Sequence, residues 1–298
     1  MAKPNLLLCF DAFGTLFRPK GSVGKQYAEV ARQCGLGGFS DEQMHTSLTE
    51  AIKRQMRLNP NYGKDNGLGA IEWWTKVIHM TMEPYAGVTG TLPKDLCPKL
   101  LQRFASSEGY EADSELVPTI RALKSPSHLP NFGKIIIGVI TNSDDRVPDV
   151  LSSIGLRVSP LRYGTHLDTG TWAHTDNDVD FHCMSYDCGV EKPDKRIFAA
   201  AEHMLAKLLA VQKNTSLEEG ITETHSWRKV YVGDDYDKDI VGATNAGWDA
   251  VFLDTCDAIK PQTLPLRQSR SPNEVEKEVE VMRITKLQYL ASYLAEGS

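Results

Sequence analysis

The chain has 298 residues, of which 41% are hydrophobic and 24% are charged, as in a typical soluble globular protein. Its net charge of −6 at pH 7 argues against nucleic acid or an anionic membrane as a partner, since neither would be attracted to the chain as a whole. No apolar run approaches the roughly 20 residues that span a bilayer, and the length suits one large domain or two.

The first residues and the cysteines indicate a cellular compartment. Only five residues precede the first apolar run, which leaves no room for a signal peptide. The six cysteines are scattered without the spacing of a disulfide framework. We therefore expect a cytoplasmic protein with reduced thiols.

The first predicted strand ends on a carboxylate. The apolar run Leu6–Phe10 is followed at once by Asp11 and then by a turn at Gly14. In open α/β sheets, ligands bind at the carboxyl ends of the strands. A carboxylate fixed there can attack an electrophile and form a covalent ester or acyl phosphate. Asp11 is therefore a candidate nucleophile, with a strand that merely ends in a polar turn as the plainer alternative.

Three further apolar strands follow, separated by helical patterns. The second strand ends on Thr141, and the third ends on Asp234. Strands that alternate with helices predict an α/β fold with a parallel sheet covered on both faces. Right-handed crossovers place all the strand ends at one edge, so Asp11, Thr141 and Asp234 should converge. The strands are expected at residues 134–140, 229–232 and 250–253, and the helices at residues 147–154, 194–209 and 239–246.

The segment between the first and second strands has a different composition. It carries helical patterns, among them a capping box in which Ser40 begins a helix and Gln43 closes the box. This segment looks like a helical cap inserted into the first crossover. We predict a cap at residues 19–115 and a core formed by residues 1–18 and 116–298.

Three later segments carry weaker signals. Residues 157–180 and 212–227 are polar and are predicted to be surface insertions. Residues 274–294 are predicted to form a helix, with the alternating charges at 274–280 on a solvated face.

A lysine and two late carboxylates complete a candidate site. Lys192 precedes a predicted helix, and Asp234 and Asp239 follow the third strand. Clustered carboxylates repel one another unless a cation lies between them. Hard oxygen ligands at a half-open site suit Mg²⁺, which keeps waters and bridges phosphate oxygens. Mg²⁺ and Lys192 would together stabilise charge on a transferring phosphoryl group.

With these residues assembled, the chain resembles the haloacid dehalogenase (HAD) superfamily of hydrolases with a helical cap after the first strand. The resemblance implies a Rossmann-like core and a small phosphorylated metabolite as substrate. Within the superfamily, the cap sequence at residues 59–63 and at Trp73-Trp74 resembles that of a eukaryotic branch. Four ordered motifs carry the superfamily resemblance: Asp11-Ala12-Phe13-Gly14-Thr15, Ile140-Thr141-Asn142, Lys192-Pro193-Asp194, and the segment from Gly233-Asp234-Asp235 to Asp239.

The resemblance also implies a role for each site residue. Asp11 would be the nucleophile and a metal ligand, Thr141 would hold a phosphoryl oxygen, and Lys192 would pair with Asp11 and the transferring group. Mg²⁺ would be bound by Asp11, by Asp234, and by Asp239 or Asp235 in support. The backbone carbonyl of Phe13 would also face the metal, and Gly14, Thr15 and Asn142 would contact the substrate.

The sequence departs from the phosphatases of the superfamily at Phe13. They usually carry a second aspartate there, which protonates the leaving group and later activates water. General acid–base help is worth roughly 10²–10⁴-fold in rate, so its loss would slow the enzyme without abolishing turnover. Asp235 or a metal-bound water is a candidate substitute, and aryl or acyl phosphates need less protonation.

Two alternatives follow from Phe13. An aromatic residue there is typical of 2-haloacid dehalogenases, which work without metal and would need a cap cation such as Arg54 or Arg57 to hold the halide. The retained Asp234 and Asp239 favour phosphoryl transfer instead. The second alternative is a catalytically weak fold that binds a phosphometabolite or a protein.

Two cap features have both a packing and a functional interpretation. Trp73 and Trp74 are adjacent in a predicted helix and cannot face the same side. Either both simply pack, or one lies in the core and the other along the cap cleft. Residues 59–63 are predicted to form a turn, with a specificity loop over Asp11 as the alternative.

Overall fold

The computed structural model describes residues 3–87, 90–165, 176–255, 262–268 and 277–296. The chain divides into two compact units. The core unit comprises Met1–Phe17, Ala112–Asn142 and Gly155–Ser298, and the cap unit comprises Arg18–Glu111 and Ser143–Ile154. The sequence predicts residues 143–154 as part of the core, but the structure groups them with the cap unit, where Asp144 accepts a hydrogen bond from Trp74. Among the described helices, none is both long and apolar enough to span a membrane.

The core unit is built on a seven-stranded sheet whose order is β5-β4-β1-β6-β7-β9-β8. All neighbouring strands are parallel except β9 and β8. A two-stranded antiparallel ladder, β2 with β3, belongs to the cap unit. The strands are β1 (Leu6–Phe10), β2 (Arg18–Pro19), β3 (Tyr110–Glu111), β4 (Ile135–Thr141), β5 (Phe181–Met184), β6 (Arg228–Gly233), β7 (Asp249–Leu253), β8 (Gln262–Gln268) and β9 (Lys277–Ile284).

Helices follow the strands in the alternation that the sequence predicts. Short 3₁₀ helices lie at Asn61–Asn66, Glu83–Tyr85 and Leu287–Tyr289, and a π-helical turn lies at Tyr236–Val241. The α-helices are α1 (Val23–Gln33), α2 (Asp41–Leu58), α3 (Ala70–Met82), α4 (Leu96–Arg103), α5 (Leu116–Lys124), α6 (Val147–Ile154), α7 (Ser185–Cys188), α8 (Lys195–Lys213), α9 (Leu217–Thr224), α10 (Gly242–Asn245) and α11 (Leu290–Glu296).

The central strand explains why the predicted core forms. Every residue of β1 is fully buried, and its parallel neighbours β4 and β6 leave it no exposed edge. Leu7 and Cys9 pack into one large apolar cluster with Phe198 of α8. The continuous apolar run of β1 therefore matches its central position, and the α/β class predicted from sequence is confirmed.

Local signals fix the helix ends in both units. The predicted capping box is present at the start of α2: the Ser40 hydroxyl accepts from the Gln43 amide, and the Gln43 side chain accepts from the Ser40 amide. In the core unit, the Asp194 side chain caps α8 by accepting from the amide of Arg196. The Asp194 cap places the start of α8 at Lys195, three residues after Lys192.

Two segments differ from their predictions. The helix predicted at 274–294 is wrong over its first part, which forms β9 parallel to β7 before α11 begins at Leu290. The alternation of Val279 and Val281 with charged neighbours has the period of a strand, and it outweighs the helical charge spacing. The polar stretch 212–227 contains α9, which begins at an N-cap, Ser216. In the insertion 157–180, residues 166–175 lie outside the described part of the chain.

Candidate active site

The strand order brings the predicted site residues to one edge of the core unit. Asp11 follows β1, Thr141 ends β4 and Asp234 follows β6, and β1 lies between the other two. The amide of Asp11 donates to the carbonyl of Val232 at 2.9 Å, so the ladder of β1 with β6 extends to the carboxylate itself. The structure therefore holds Asp11 by its backbone.

Lys192 is the centre of a buried polar cluster. Its Nζ atom donates to Oδ1 of Asp11 at 2.6 Å, to Oδ1 of Asp239 at 2.6 Å and to the Tyr231 hydroxyl at 2.8 Å. Lys192 and Asp239 are 3% and 0% exposed, and Asp11 is 7% exposed. A buried charge is costly unless it is paired and hydrogen-bonded, and here one ammonium satisfies two carboxylates.

The loop after β6 holds Asp239 in place. Its second oxygen, Oδ2, accepts from the amide of Asp235 at 2.9 Å, across the start of the π-helical turn. A β-carbon on Gly233 would lie 2.2 Å from this same Oδ2 atom. The loop can therefore close onto Asp239 only because residue 233 is glycine.

Asp234 is fixed by the loop that follows Asp11. The Thr15 hydroxyl donates to Oδ1 of Asp234 at 3.1 Å. Gly14 has φ +84°, and a β-carbon there would lie 2.0 Å from Oδ2 of Asp234. Gly14 and Thr15, predicted as substrate contacts, thus position a carboxylate in this structure.

Burial and neighbouring charges raise the pKa values of Asp11, Asp234 and Lys192. Burial, helped by the charge of Asp239 and opposed by Lys192, raises the pKa of Asp11 to about 6. Burial also raises the pKa of Asp234. For Lys192 burial would lower the pKa, but the carboxylates of Asp11 and Asp239 outweigh it and raise the value. Lys192 is therefore a permanent cation in the physiological range.

The donor set fits the divalent ion that the sequence predicts. Asp11, Asp234 and Asp239 each offer a carboxylate oxygen, and these atoms lie within 4.8 Å of one another. Three carboxylates and one ammonium leave the ionised cluster with excess negative charge, which a divalent cation would offset. All three ligands are hard oxygens, as Mg²⁺ prefers. The role of the Phe13 carbonyl stays a prediction.

Asn142 and Phe13 have partners that the sequence did not indicate, and Thr141 is buried. The side-chain amide of Asn142 forms two hydrogen bonds with the main chain of Lys192. Oδ1 of Asn142 accepts from the Lys192 N–H at 2.7 Å, and Nδ2 of Asn142 donates to the Lys192 carbonyl at 3.0 Å. Thr141 is 1% exposed at the end of β4. Phe13 is half-buried, and its ring meets the Phe17 ring edge to face at 4.8 Å.

Tyr231 is a site residue that the sequence pattern does not indicate. It lies in the interior of β6, where a tyrosine gives the same apolar signal as its neighbours, yet its hydroxyl is part of the Lys192 cluster. The available signal was a hydroxyl in the middle of a buried strand, because such a group needs a hydrogen-bond partner.

In the cap unit, the two tryptophans separate as predicted in part. Trp73 is 2% exposed and donates from Nε1 to the Asn59 carbonyl. Trp74 donates from Nε1 to Oδ2 of Asp144 at 2.7 Å, and the Arg146 guanidinium stacks on its ring at 4.4 Å. The predicted turn at residues 59–63 is present.

Two further features of the cap unit bear on the sequence predictions: the backbone of the turn at residues 59–63 and the arginines of α2. Asn61 and Tyr62 both have positive φ, at 45° and 57°. Arg54 and Arg57 are exposed on α2. The role of these arginines in holding a halide, and of the turn as a specificity loop, stay predictions.

A parallel sheet that carries this carboxylate–lysine cluster at its strand ends matches a known family of hydrolases. The sequence model of the haloacid dehalogenase-like hydrolases matches residues 6–247, which include every residue of the cluster. The chain belongs to the haloacid dehalogenase-like hydrolase family.

Individual relatives agree with this assignment. An uncharacterized hydrolase of Schizosaccharomyces pombe is 30% identical over 249 residues, 83% of this chain and 90% of the relative. The haloacid dehalogenase-like hydrolase domain-containing protein 3 of Xenopus laevis is 28% identical over 269 residues, 90% of this chain and 89% of the relative. The crystal structure of a 2-haloacid dehalogenase from Pseudomonas syringae has a similar fold, with a TM-score of 0.54 and 19% identity over 99% of this chain and 100% of that chain.

Proposed function

We propose that this hydrolase is a Mg²⁺-dependent phosphatase that acts on a small phosphorylated metabolite in the cytoplasm through an aspartyl phosphate on Asp11. The observation that supports it is the cluster of Asp11, Asp234 and Asp239, whose carboxylate oxygens lie within 4.8 Å of one another beside the Lys192 ammonium. A site in which a divalent cation lies beside the Lys192 ammonium carries the positive charge that a dianionic phosphoryl group needs.

The chemistry divides between two steps at phosphorus. An oxygen of Asp11 attacks phosphorus, the bond from phosphorus to the leaving group breaks, and the leaving group departs with the electron pair. Water then attacks phosphorus, the bond to Asp11 breaks with its electron pair returning to the carboxylate, and inorganic phosphate is released as the proton of the water passes to solvent. Because Lys192 binds Oδ1 of Asp11, the other carboxylate oxygen is the natural attacking atom.

The remaining residues of the site bind and orient. Asp11, Asp234 and Asp239 would hold Mg²⁺, which when bound screens the charge of the phosphoryl oxygens. Thr141 would hold one of these oxygens. Phe13 cannot transfer a proton, so the preferred substrates are those with leaving groups stable as anions, such as aryl and acyl phosphates.

The test is hydrolysis of p-nitrophenyl phosphate and acetyl phosphate by the full chain, with Mg²⁺ and with EDTA. We expect Mg²⁺-dependent release of phosphate, and a phosphoryl adduct on Asp11 in acid-quenched protein analysed by mass spectrometry. Asp11→Asn should abolish both. Asp237→Asn is the matched control, because it removes one exposed charge from the same motif. Activity retained in Asp11→Asn would show that the nucleophile is misassigned.

A second function is favoured by one residue, Phe13. An aromatic ring beside the nucleophile suits displacement of halide from carbon, since a halide leaves without a proton. Chloride released from 2-chloropropionate in the presence of EDTA would support a 2-haloacid dehalogenase. Absence of a covalent adduct with phosphoesters and haloacids would favour a protein that binds a phosphometabolite or a protein partner without turnover.

A further inference from the structure

Lys192 has no spare donor in this structure. A lysine ammonium carries three N–H groups. Its three acceptors are Asp11, Asp239 and the hydroxyl of Tyr231, at 2.6, 2.6 and 2.8 Å. The direction of the ammonium is therefore fixed by the protein at all three of its hydrogen atoms.

The Tyr231 hydroxyl is itself held by further hydrogen bonds. Its nearest acceptor is the carbonyl of Ile140 at 2.7 Å, and Oδ1 of Asp239 is a second, longer acceptor at 3.3 Å, while its own oxygen accepts from Lys192. Ile140 belongs to β4 and Tyr231 to β6, and β1 lies between these strands. The hydroxyl thus bridges the two neighbours of the strand that carries Asp11.

The ring of Tyr231 is fixed as firmly as its hydroxyl. The side chain is fully buried, and its ring packs edge to face on Phe198 of α8 with centroids 5.2 Å apart. Removal of the oxygen alone would leave this packing in place.

The main chain of Lys192 has a separate anchor. Asn142 binds both its N–H and its carbonyl, at 2.7 and 3.0 Å. Lys192 is therefore held at both ends of its side chain, by Asn142 at the backbone and by Tyr231 at the ammonium.

We propose that Tyr231 and Asn142 are positioning residues that fix Lys192 against Asp11 before substrate binds. This inference rests on the proposed function for its effect on turnover. A preorganised cation beside the nucleophile needs no rearrangement at the moment of reaction, which is the main source of electrostatic stabilisation in enzymes. Neither residue needs to touch the substrate for this role.

The first test is kinetic. Tyr231→Phe should lower kcat for p-nitrophenyl phosphate by on the order of 10-fold, the loss of one hydrogen bond to a charged group, with KM within about 2-fold. Asn142→Ala should lower kcat in the same direction through the other anchor. Trp248→Phe is the matched control: Trp248 packs on the same Phe198 ring and loses one hydrogen bond, to Glu202, away from Lys192. Its kcat should equal that of the unmodified protein.

The second test does not depend on catalysis. A buried, hydrogen-bonded ammonium exchanges slowly with water, so the ¹⁵N-lysine NMR spectrum should contain a Lys192 ammonium signal that Lys192→Arg removes. Tyr231→Phe should shift or broaden this signal, and Trp248→Phe should not.

The two tests separate the failures. A Lys192 signal and a kcat both unchanged in Tyr231→Phe would overturn the positioning role. A protein that forms no phosphoryl adduct with either phosphate would overturn the proposed function, while the NMR comparison would still decide whether Tyr231 orients Lys192.

Discussion

Gly14 and Asp234 approach so closely that no side chain fits between them. A β-carbon on Gly14 would lie 2.0 Å from Oδ2 of Asp234, and the backbone of Gly14 has φ +84°. The turn after the nucleophile is therefore shaped around a carboxylate 220 residues further along the chain. The substitution Gly14→Ala should displace Asp234 and weaken Mg²⁺ binding at least 10-fold, measured by calorimetric titration.

The control for this substitution is Gly247→Ala. Gly247 has φ +83°, and a β-carbon there meets nothing within 4 Å. Both variants should lose roughly 1–2 kcal/mol of unfolding free energy through the left-handed backbone. Only Gly14→Ala should lose metal affinity, and equal affinities in the two variants would contradict the packing argument.

Mg²⁺ should raise the melting temperature of the protein. At a concentration of about 100 times Kd, an ion that binds only the folded state stabilises it by about 2.7 kcal/mol. Differential scanning fluorimetry should show this increase in the unmodified chain and in Asp237→Ala. It should be absent in Asp234→Ala, and an equal increase in that variant would remove the case for the site.

A proton donor introduced at residue 13 should change the preference among leaving groups. Phe13→Asp should raise turnover of alkyl phosphates relative to p-nitrophenyl phosphate, by up to the roughly 10²–10⁴-fold that general acid catalysis provides. Phe13→Asn has the same size without the acid and should leave the ratio as it is. The measurement is kcat/KM for the two substrates, and parallel changes in both variants would show that residue 13 acts only through packing.

Asp144 should be essential to the stability of the cap unit. Its carboxylate binds the Arg146 guanidinium twice at 2.8 Å and accepts from Trp74 at 2.7 Å, and it is 2% exposed. Burial would raise the pKa of Asp144, but Arg146 outweighs it and holds the value below its usual range. Asp144→Asn should cost roughly 3–5 kcal/mol in urea unfolding, because it leaves the largely buried Arg146 guanidinium without its carboxylate partner.

A matched variant of Asp144→Asn uses the exposed pair of Asp194 and Arg196. There Asp194→Asn keeps a side-chain oxygen to cap α8, and water solvates the remaining guanidinium, so this variant should change stability little. Similar losses at both positions would show that burial of the Asp144 pair is not the cause.

His182 should make the folded state sensitive to acid. Burial lowers the pKa of its imidazole to about 4, and its side chain is 0% exposed in β5. The unfolded chain binds a proton at this ring below about pH 6.5, whereas the folded chain does not until about pH 4. The contribution of His182 to stability is therefore complete above pH 6.5 and is lost as the pH falls from there toward 4.

The slope of unfolding free energy against pH measures the effect of His182 separately from any packing cost of the substitution. His182→Gln should reduce the loss of unfolding free energy by about 1.4 kcal/mol per pH unit within that window. His225→Gln, at an exposed ring, should leave the slope unchanged. The measurement is urea unfolding at a series of pH values, and an unchanged slope in His182→Gln would contradict the assignment.

The parts of the fold that the sequence predicts are those with local causes. The predicted bounds of β1 and α6 agree with the structure, because a short apolar run and an amphipathic turn pattern depend only on neighbouring residues. The strand β5 was not predicted, because four residues that include His182 give no periodic signal. The helix prediction at 274–294 is wrong over Lys277–Ile284, where the residue pattern fits both a strand and a helix.

The sequence predicts which motif residues form the site, but not all of their hydrogen-bond partners. The motifs name Asp11, Lys192 and Asp239, and the structure brings these three together. The hydroxyl of Tyr231 and the amide of Asn142 depend on which strands are neighbours in the sheet. Strand order is a tertiary property, and a single sequence does not carry it.

The central position of β1 has a consequence for the lifetime of the site. Hydrogen bonds to β4 and β6 hold this strand from both sides, while β5 and β8 are the two margins of the sheet. Margins open first in the native ensemble, and the middle opens only with the whole molecule. Amide exchange should therefore be slowest at Leu6–Phe10, so the backbone that carries Asp11 keeps its geometry through every partial opening of the core unit.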